Sequence, residues 1–124
     1  MGRVAVTGIG AVTPLGLDVP STWTAAQAGE SGIGWISTFD TDGLPVRIAG
    51  EVKGFDATQV VSPKEARKLE RNVLLGVAAG REALADAKLN GFDPSRVGII
   101  WVMSLRLPPV SSTVSGLPRP QAIR

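Results

Sequence analysis

Residues 62–88, SPKEARKLERNVLLGVAAGREALADAK, constrain the fold more than any other stretch, because they read as one long helix. Ser62 has the chemistry of an N-cap, Pro63 suits the first helical position, and Glu65 stands three residues after the cap, completing a capping box. Helix-forming residues continue to Lys88, and Asn90 with Gly91 closes the element. An apolar run lies on either side of it. VAVTGI, residues 4–9, leads into glycines, and VGIIWVM, residues 97–103, follows Pro94. Runs of this kind fit strands buried on both faces of a parallel sheet. Strand, helix and strand make a βαβ unit, whose crossover is expected to be right-handed. The fold class read from the sequence is therefore α/β.

The rest of the chain fits around that unit. Asp18 is a cap and Pro20 a first-turn residue for a short helix that Gly29 can end. Residues 31–61 are rich in Gly, Asp and Thr and read as an irregular insertion, with a short strand or hairpin at VRIAGEV, residues 46–52. After Met103 the chain changes character. Four of the nine prolines lie there, with serines and no apolar period, so residues 104–124 read as a disordered tail. Residues 1–100 carry 10 basic and 11 acidic side chains; the last 24 carry Arg106, Arg119 and Arg124 and no acid. The basic balance belongs to the tail, and a nucleic-acid-binding body is not implied.

Composition excludes several chemistries outright. The 124 residues contain no cysteine and no histidine. A thiolate nucleophile, a disulfide and sulfur or imidazole metal ligands are absent, as is the commonest general base. No stretch approaches the roughly 18 consecutive apolar residues of a membrane span, and glycines and Pro14 interrupt any leader-like core. The expectation is a cytoplasmic protein with no metal, no cofactor, no membrane and no nucleic acid among its partners.

The loop in VAVTGIGAVTPLG could be a phosphate cradle or a packing device. Gly8 and Gly10 match a dinucleotide fingerprint, but Thr13 occupies its third glycine position. Pro14 and Gly16 keep a helix from starting at the loop, and no Walker lysine follows. A small nucleotide-binding domain is thus a weak reading. The alternative is that the glycines allow a tight turn and close backbone packing.

At these residues the chain resembles the β-ketoacyl-acyl carrier protein synthases, condensing enzymes of fatty acid synthesis. VTGIGAVTPLG, SGIGWISTFD, VRIAGEVKGFD, the 62–87 stretch and RVGII agree with that family in order and spacing over about residues 3–100. Leu69, Glu70 and Asn72 depart from the family's usual Met-Asp-aromatic pattern. From Trp101 the family's glycine-rich turn is replaced by WVMSLRLPP, a change that resembles out-of-frame reading. The resemblance implies residues 1–103 as part of a synthase N-terminal domain, the first βαβ unit of a thiolase-like fold, incomplete and followed by the tail. It implies decarboxylative condensation of acyl and malonyl thioesters by one cysteine and two histidines, without a cofactor, in a homodimer. None of those catalytic residues exists here, so the chain alone is expected to be an inactive fragment with no catalytic residue to assign.

One feature can act without that chemistry. In a continuous helix Lys64, Arg67, Lys68 and Arg71 share a face at i, i+3, i+4 and i+7, while Leu69, Val73, Val77, Gly80 and Leu84 line the other side. Such a cation cluster opposes the helix macrodipole and contains like-charged i, i+4 pairs. A solvated helix face is one reading. A dock for an acidic partner is the other, and the resemblance implies acyl carrier protein as that partner. A non-catalytic carrier-binding module is thus the alternative to a synthase fragment. VLLGVAAG is apolar all round, which needs cover on several sides, and Gly76 and Gly80 would admit a neighbouring backbone.

Overall fold

Asp18 begins the regular structure. Its carboxylate accepts the Ser21 N–H at 2.7 Å, the Asp18 N–H donates in return to the Ser21 hydroxyl oxygen, and Pro20 fills the first turn of α1, Val19–Gln27. Ala28 caps its end, and Gly29 follows at φ +72°, a conformation open to glycine without strain. The computed structural model describes residues 2–89, 91 and 93–102. Within them the insertion carries a hairpin: β1, Ile33–Trp35, pairs antiparallel with β2, Ile48–Gly50, with Ile33 opposite Gly50 and Trp35 opposite Ile48. A 3-10 turn at Ala57–Gln59 leads to helix α2, Pro63–Ala66, then to α3, Arg71–Asp86, and a last turn at Pro94–Arg96. The described chain is mixed α and β.

Three expectations are corrected. The helix over 62–88 is broken, since α2 ends at Ala66 and Glu70 is extended at φ −66°, ψ 148° before α3 begins. A single helix would hold Lys64 with Lys68 and Arg67 with Arg71 as like-charged i, i+4 neighbours. The break takes Arg71 out of that register, and its guanidinium donates to the Val52 carbonyl at 2.6 Å instead. Secondly, α3 stops at Asp86, and Lys88 takes a left-handed position at φ +51° ahead of Gly91 at φ +74°.

The third correction concerns the flanking strands. Neither residues 4–9 nor residues 97–102 enter a sheet; the described sheet has two strands, β1 and β2, and no parallel pair. A ladder needs a partner for its N–H and C=O groups, and the only two regular strands described pair with each other. The βαβ unit and its right-handed crossover are therefore absent from the described residues. Val4 is 97% exposed and Ile100 92%. The expected tail, residues 104–124, lies outside the described residues, as does the proposed domain boundary beside it.

What packs is small. Ala25 on α1, Val60 before α2 and Leu74 on α3 are the buried apolar side chains among the described residues. Gly8 and Gly10 lie against the α3 backbone: a Cβ at Gly10 would overlap the Ala79 carbonyl, and one at Gly8 would overlap the Ala83 carbonyl and meet Ala87 Cβ at 2.8 Å. The packing reading of the glycine loop holds. Pro14 of the same loop seats the hairpin, where a Cβ at Gly32 would come 2.7 Å from it and one at Gly50 2.9 Å.

A carboxylate closes the hairpin region. Glu51, just after β2, accepts from the hydroxyls of Ser37 and Thr38 at 2.7 and 2.8 Å and from both backbone N–H groups. The Ser37 hydroxyl first, and the Thr38 hydroxyl next, hold its pKa down to about 2 from an ordinary 4.5. A depressed folded-state value stabilises this contact above pH 4.5 and loses that contribution as pH falls toward 2. In a pH series followed by NMR, the Ser37 and Thr38 amides are expected to shift together in that acid window. Glu51→Gln should abolish the titration; a midpoint near 4.5 would show that the contact does not form.

Candidate functional site

The four cations singled out by sequence sit on three different pieces of chain. Lys64 is in α2, Arg67 and Lys68 are in the turn that follows it, and Arg71 is the first residue of α3. The turn is closed by the Lys68 and Leu69 N–H groups, which both donate to the Glu65 carbonyl, at 2.9 and 3.1 Å. All four side chains are exposed. Their environments differ.

Glu65 is the nearest acid in sequence to Lys64, and it is committed elsewhere. Its carboxylate accepts the Ser62 hydroxyl at 2.6 Å and the Ser62 N–H at 3.1 Å, while the Glu65 N–H returns to the Ser62 oxygen at 3.3 Å. The Ser62 hydroxyl, then its N–H, lower the Glu65 pKa, with a smaller contribution from the Arg81 charge. The capping box thus uses this carboxylate to start α2. Lys64, Arg67 and Lys68 form no ion pair with a described residue.

Arg71 is anchored. Besides its bond to the Val52 carbonyl, its guanidinium carbon lies 5.8 Å from the Phe55 ring centroid, within cation–π range. It ties the chain after β2 to the start of α3. Lys64, Arg67 and Lys68 thus stay exposed without an ion pair among the described residues, while Arg71 has a structural engagement.

Sequence reasoning missed a second set. On α3, Glu82 accepts the Ala11 N–H at 2.9 Å through Oε2 and the Val19 N–H at 2.8 Å through Oε1, while Asp86 accepts the Ile9 N–H at 3.0 Å. Val19 is the first residue of α1, so Glu82 satisfies one of that helix's orphan donors and places an anion at its positive end. The signal available in the sequence is two acids at i, i+4 beside Ala79 and Ala83, whose small side chains let the loop approach. Gly76 and Gly80 do not admit a backbone as expected: the Trp101 ring covers Gly76, and nothing lies within 4 Å of a Cβ placed at Gly80.

None of these groups forms a nucleophile with an activating base, and no described helix is long and apolar enough to cross a membrane. What the geometry defines is a small α and β domain with one exposed cationic turn and no assembled catalytic centre among the described residues. Residues 1–113 match the beta-ketoacyl synthase N-terminal domain. The chain belongs to the β-ketoacyl synthase family. It is 46% identical over 99 residues to a 3-oxoacyl-[acyl-carrier-protein] synthase 2 of Vibrio cholerae, a match covering 78% of this chain and 24% of that protein. It is 41% identical over 100 residues to the protein of the same name from Synechocystis, covering 79% and 24% respectively. With the Staphylococcus aureus protein of that name it shares 40% over 104 residues, covering 82% and 25%. The chain spans about a quarter of the length of these curated relatives.

Proposed function

We propose that this chain provides the N-terminal, carrier-facing part of a 3-oxoacyl-ACP synthase, and that Lys64, Arg67 and Lys68 are its contact with acidic acyl carrier protein. The chain holds the glycine loop and the α2–α3 corner of a thiolase-like fold, and residues 1–103 act as the partial domain. Acyl transfer and condensation belong to groups that this chain lacks. Their place in fatty acid synthesis is what the family resemblance implies.

The observation that carries this reading is the exposure of three cations that make no ion pair among the described residues, with the adjacent Glu65 held in a cap. Exposed charges steer encounter and are screened by salt. Carrier protein is therefore expected to bind weakly, with affinity falling steadily as salt is raised in a calorimetric or NMR titration. Changing Lys64, Arg67 and Lys68 together to Glu should weaken binding by at least about tenfold and flatten the salt dependence. Binding indifferent to that triple change would reduce the turn to a solvated surface.

A further inference from the structure

Of the four cations around the α2–α3 corner, Arg71 is the one whose side chain the fold engages among the described residues. Its partners lie on a segment that is fixed from both ends. At one end Glu51 accepts the Ser37 and Thr38 hydroxyls, which pins the exit of β2 to the hairpin. At the other the Asp56 carboxylate accepts the Thr58 N–H at 2.9 Å and its hydroxyl at 2.7 Å, opening the 3-10 turn at Ala57–Gln59. Gly54 bends the chain between them at φ +71°, where a side chain would be strained. The Val52 carbonyl and the half-buried Phe55 ring therefore stand in set places on either side of that bend.

Arg71 takes both. Its guanidinium donates to the Val52 carbonyl, and its central carbon lies 5.8 Å from the Phe55 ring centroid. A guanidinium is flat and weakly hydrated, so one group can donate in its plane and stack through its face. A lysine ammonium, a hydrated point charge, does not reproduce that pair of contacts. Between this anchor and the end of α2 lies a turn of four residues, Arg67 to Glu70. The Lys68 and Leu69 N–H groups close it on the Glu65 carbonyl. Lys64, Arg67 and Lys68 repel one another, which favours an opened turn. Holding Arg71 opposes that, because it fixes where the turn must end.

We propose that Arg71 is the positioning residue of the cationic turn: through Val52 and Phe55 it keeps Arg67 and Lys68 in the arrangement that meets the acidic partner, without touching that partner itself. The role toward a partner rests on the docking reading above; the hold on the turn does not, and the experiment reads the two separately.

The full 124-residue chain is compared with Arg71→Lys, Arg71→Gln and Phe55→Leu, with circular dichroism confirming that the helices persist. The first readout needs no partner. Amide exchange at Lys68 and Leu69, followed by NMR, is expected to quicken about tenfold in Arg71→Gln, the scale of a lost hydrogen bond from a charged donor. Phe55→Leu should quicken it about two- to fivefold, the scale of an exposed cation–π contact. Arg71→Lys should resemble Arg71→Gln, while Leu74 in the core stays unchanged throughout. Equal quickening at Leu74 would show a loosened fold rather than a released turn and overturns the proposal. The second readout is titration with acyl carrier protein. Affinity should fall about two- to fivefold in Phe55→Leu and Arg71→Lys alike, as a smaller share of chains holds the turn in place. The salt dependence should keep its slope, because neither variant removes a cation. Wild-type binding by both variants would make Arg71 a plain charge at the interface and overturns the positioning role. A chain that binds no carrier, with turn amides responding as expected, sinks the docking reading and with it the role toward a partner. Turn amides that do not respond to Arg71→Gln sink the anchor, whatever the carrier does.

Discussion

Incubated with acyl carrier protein charged with an acyl group, the 124-residue chain is expected to gain no acyl mass, and with malonyl carrier protein to release no condensation product above blank. The family resemblance implies a cysteine nucleophile and two histidines, and the chain has neither residue type anywhere. A serine or threonine could substitute only beside a competent general base. The structure shows hydroxyl–carboxylate pairs at Asp18 with Ser21, Glu51 with Ser37 and Thr38, Asp56 with Thr58, Glu65 with Ser62 and Asp93 with Ser95. All but the Glu51 pair, which closes the hairpin region, are local caps or turns, and in each the hydroxyl hydrogen bond is the first cause lowering the carboxylate pKa. A carboxylate pushed further into its charged form is a weaker proton acceptor, which is the wrong direction for activating a hydroxyl near neutral pH. Intact-protein mass spectrometry after incubation checks the outcome. An acyl adduct on any Ser or Thr would show that a base has been overlooked and would remove the docking-only reading of this chain.

What could be read in the sequence was what short-range chemistry decides. Asp18, Pro20 and Gly29 bracket α1 as expected, because cap, first turn and left-handed exit are all settled within four residues. Ser62 and Glu65 form their box for the same reason. The break after Ala66 was hidden, since nothing in KLERN is a helix breaker. Its cause includes a bond between Arg71 and Val52, 19 residues apart. The two apolar runs were read as a parallel pair of strands, yet neither enters a sheet among the described residues, because a strand is defined by a partner that its own sequence does not contain. The cation cluster was visible by residue type, but its division into three free groups and one anchor depends on where Val52 and Phe55 lie. Glu82 was the least legible. An acid in a helix reads as surface, and its two partners are 63 and 71 residues away.

That residue gives the second large effect. Glu82→Ala is expected to destabilise the chain by about 2–4 kcal/mol, taking roughly 1.5–3 kcal/mol for each hydrogen bond to a charged acceptor and discounting for partial exposure. Both bonds are part-buried and both donors are backbone N–H groups in fixed positions, so neither is easily recovered. The loop itself cannot slide to compensate. Gly8 and Gly10 already rest on the backbone of α3, and moving them closer meets the Ala79 and Ala83 carbonyls. Asp86 still holds Ile9, so loss of Glu82 should release residues 11–19 first, along with the start of α1. Hydrogen exchange is then expected to quicken most at the Ala11 and Val19 amides, and little at Leu74 in the middle of the small core. Glu82→Gln keeps one carbonyl acceptor and should recover about half of the loss. Urea unfolding of the three proteins, with exchange measured at those amides, decides it. If all three melt within about 0.5 kcal/mol of one another, water serves the two N–H groups as well as the carboxylate does, and the glycine loop is held to α3 by packing alone.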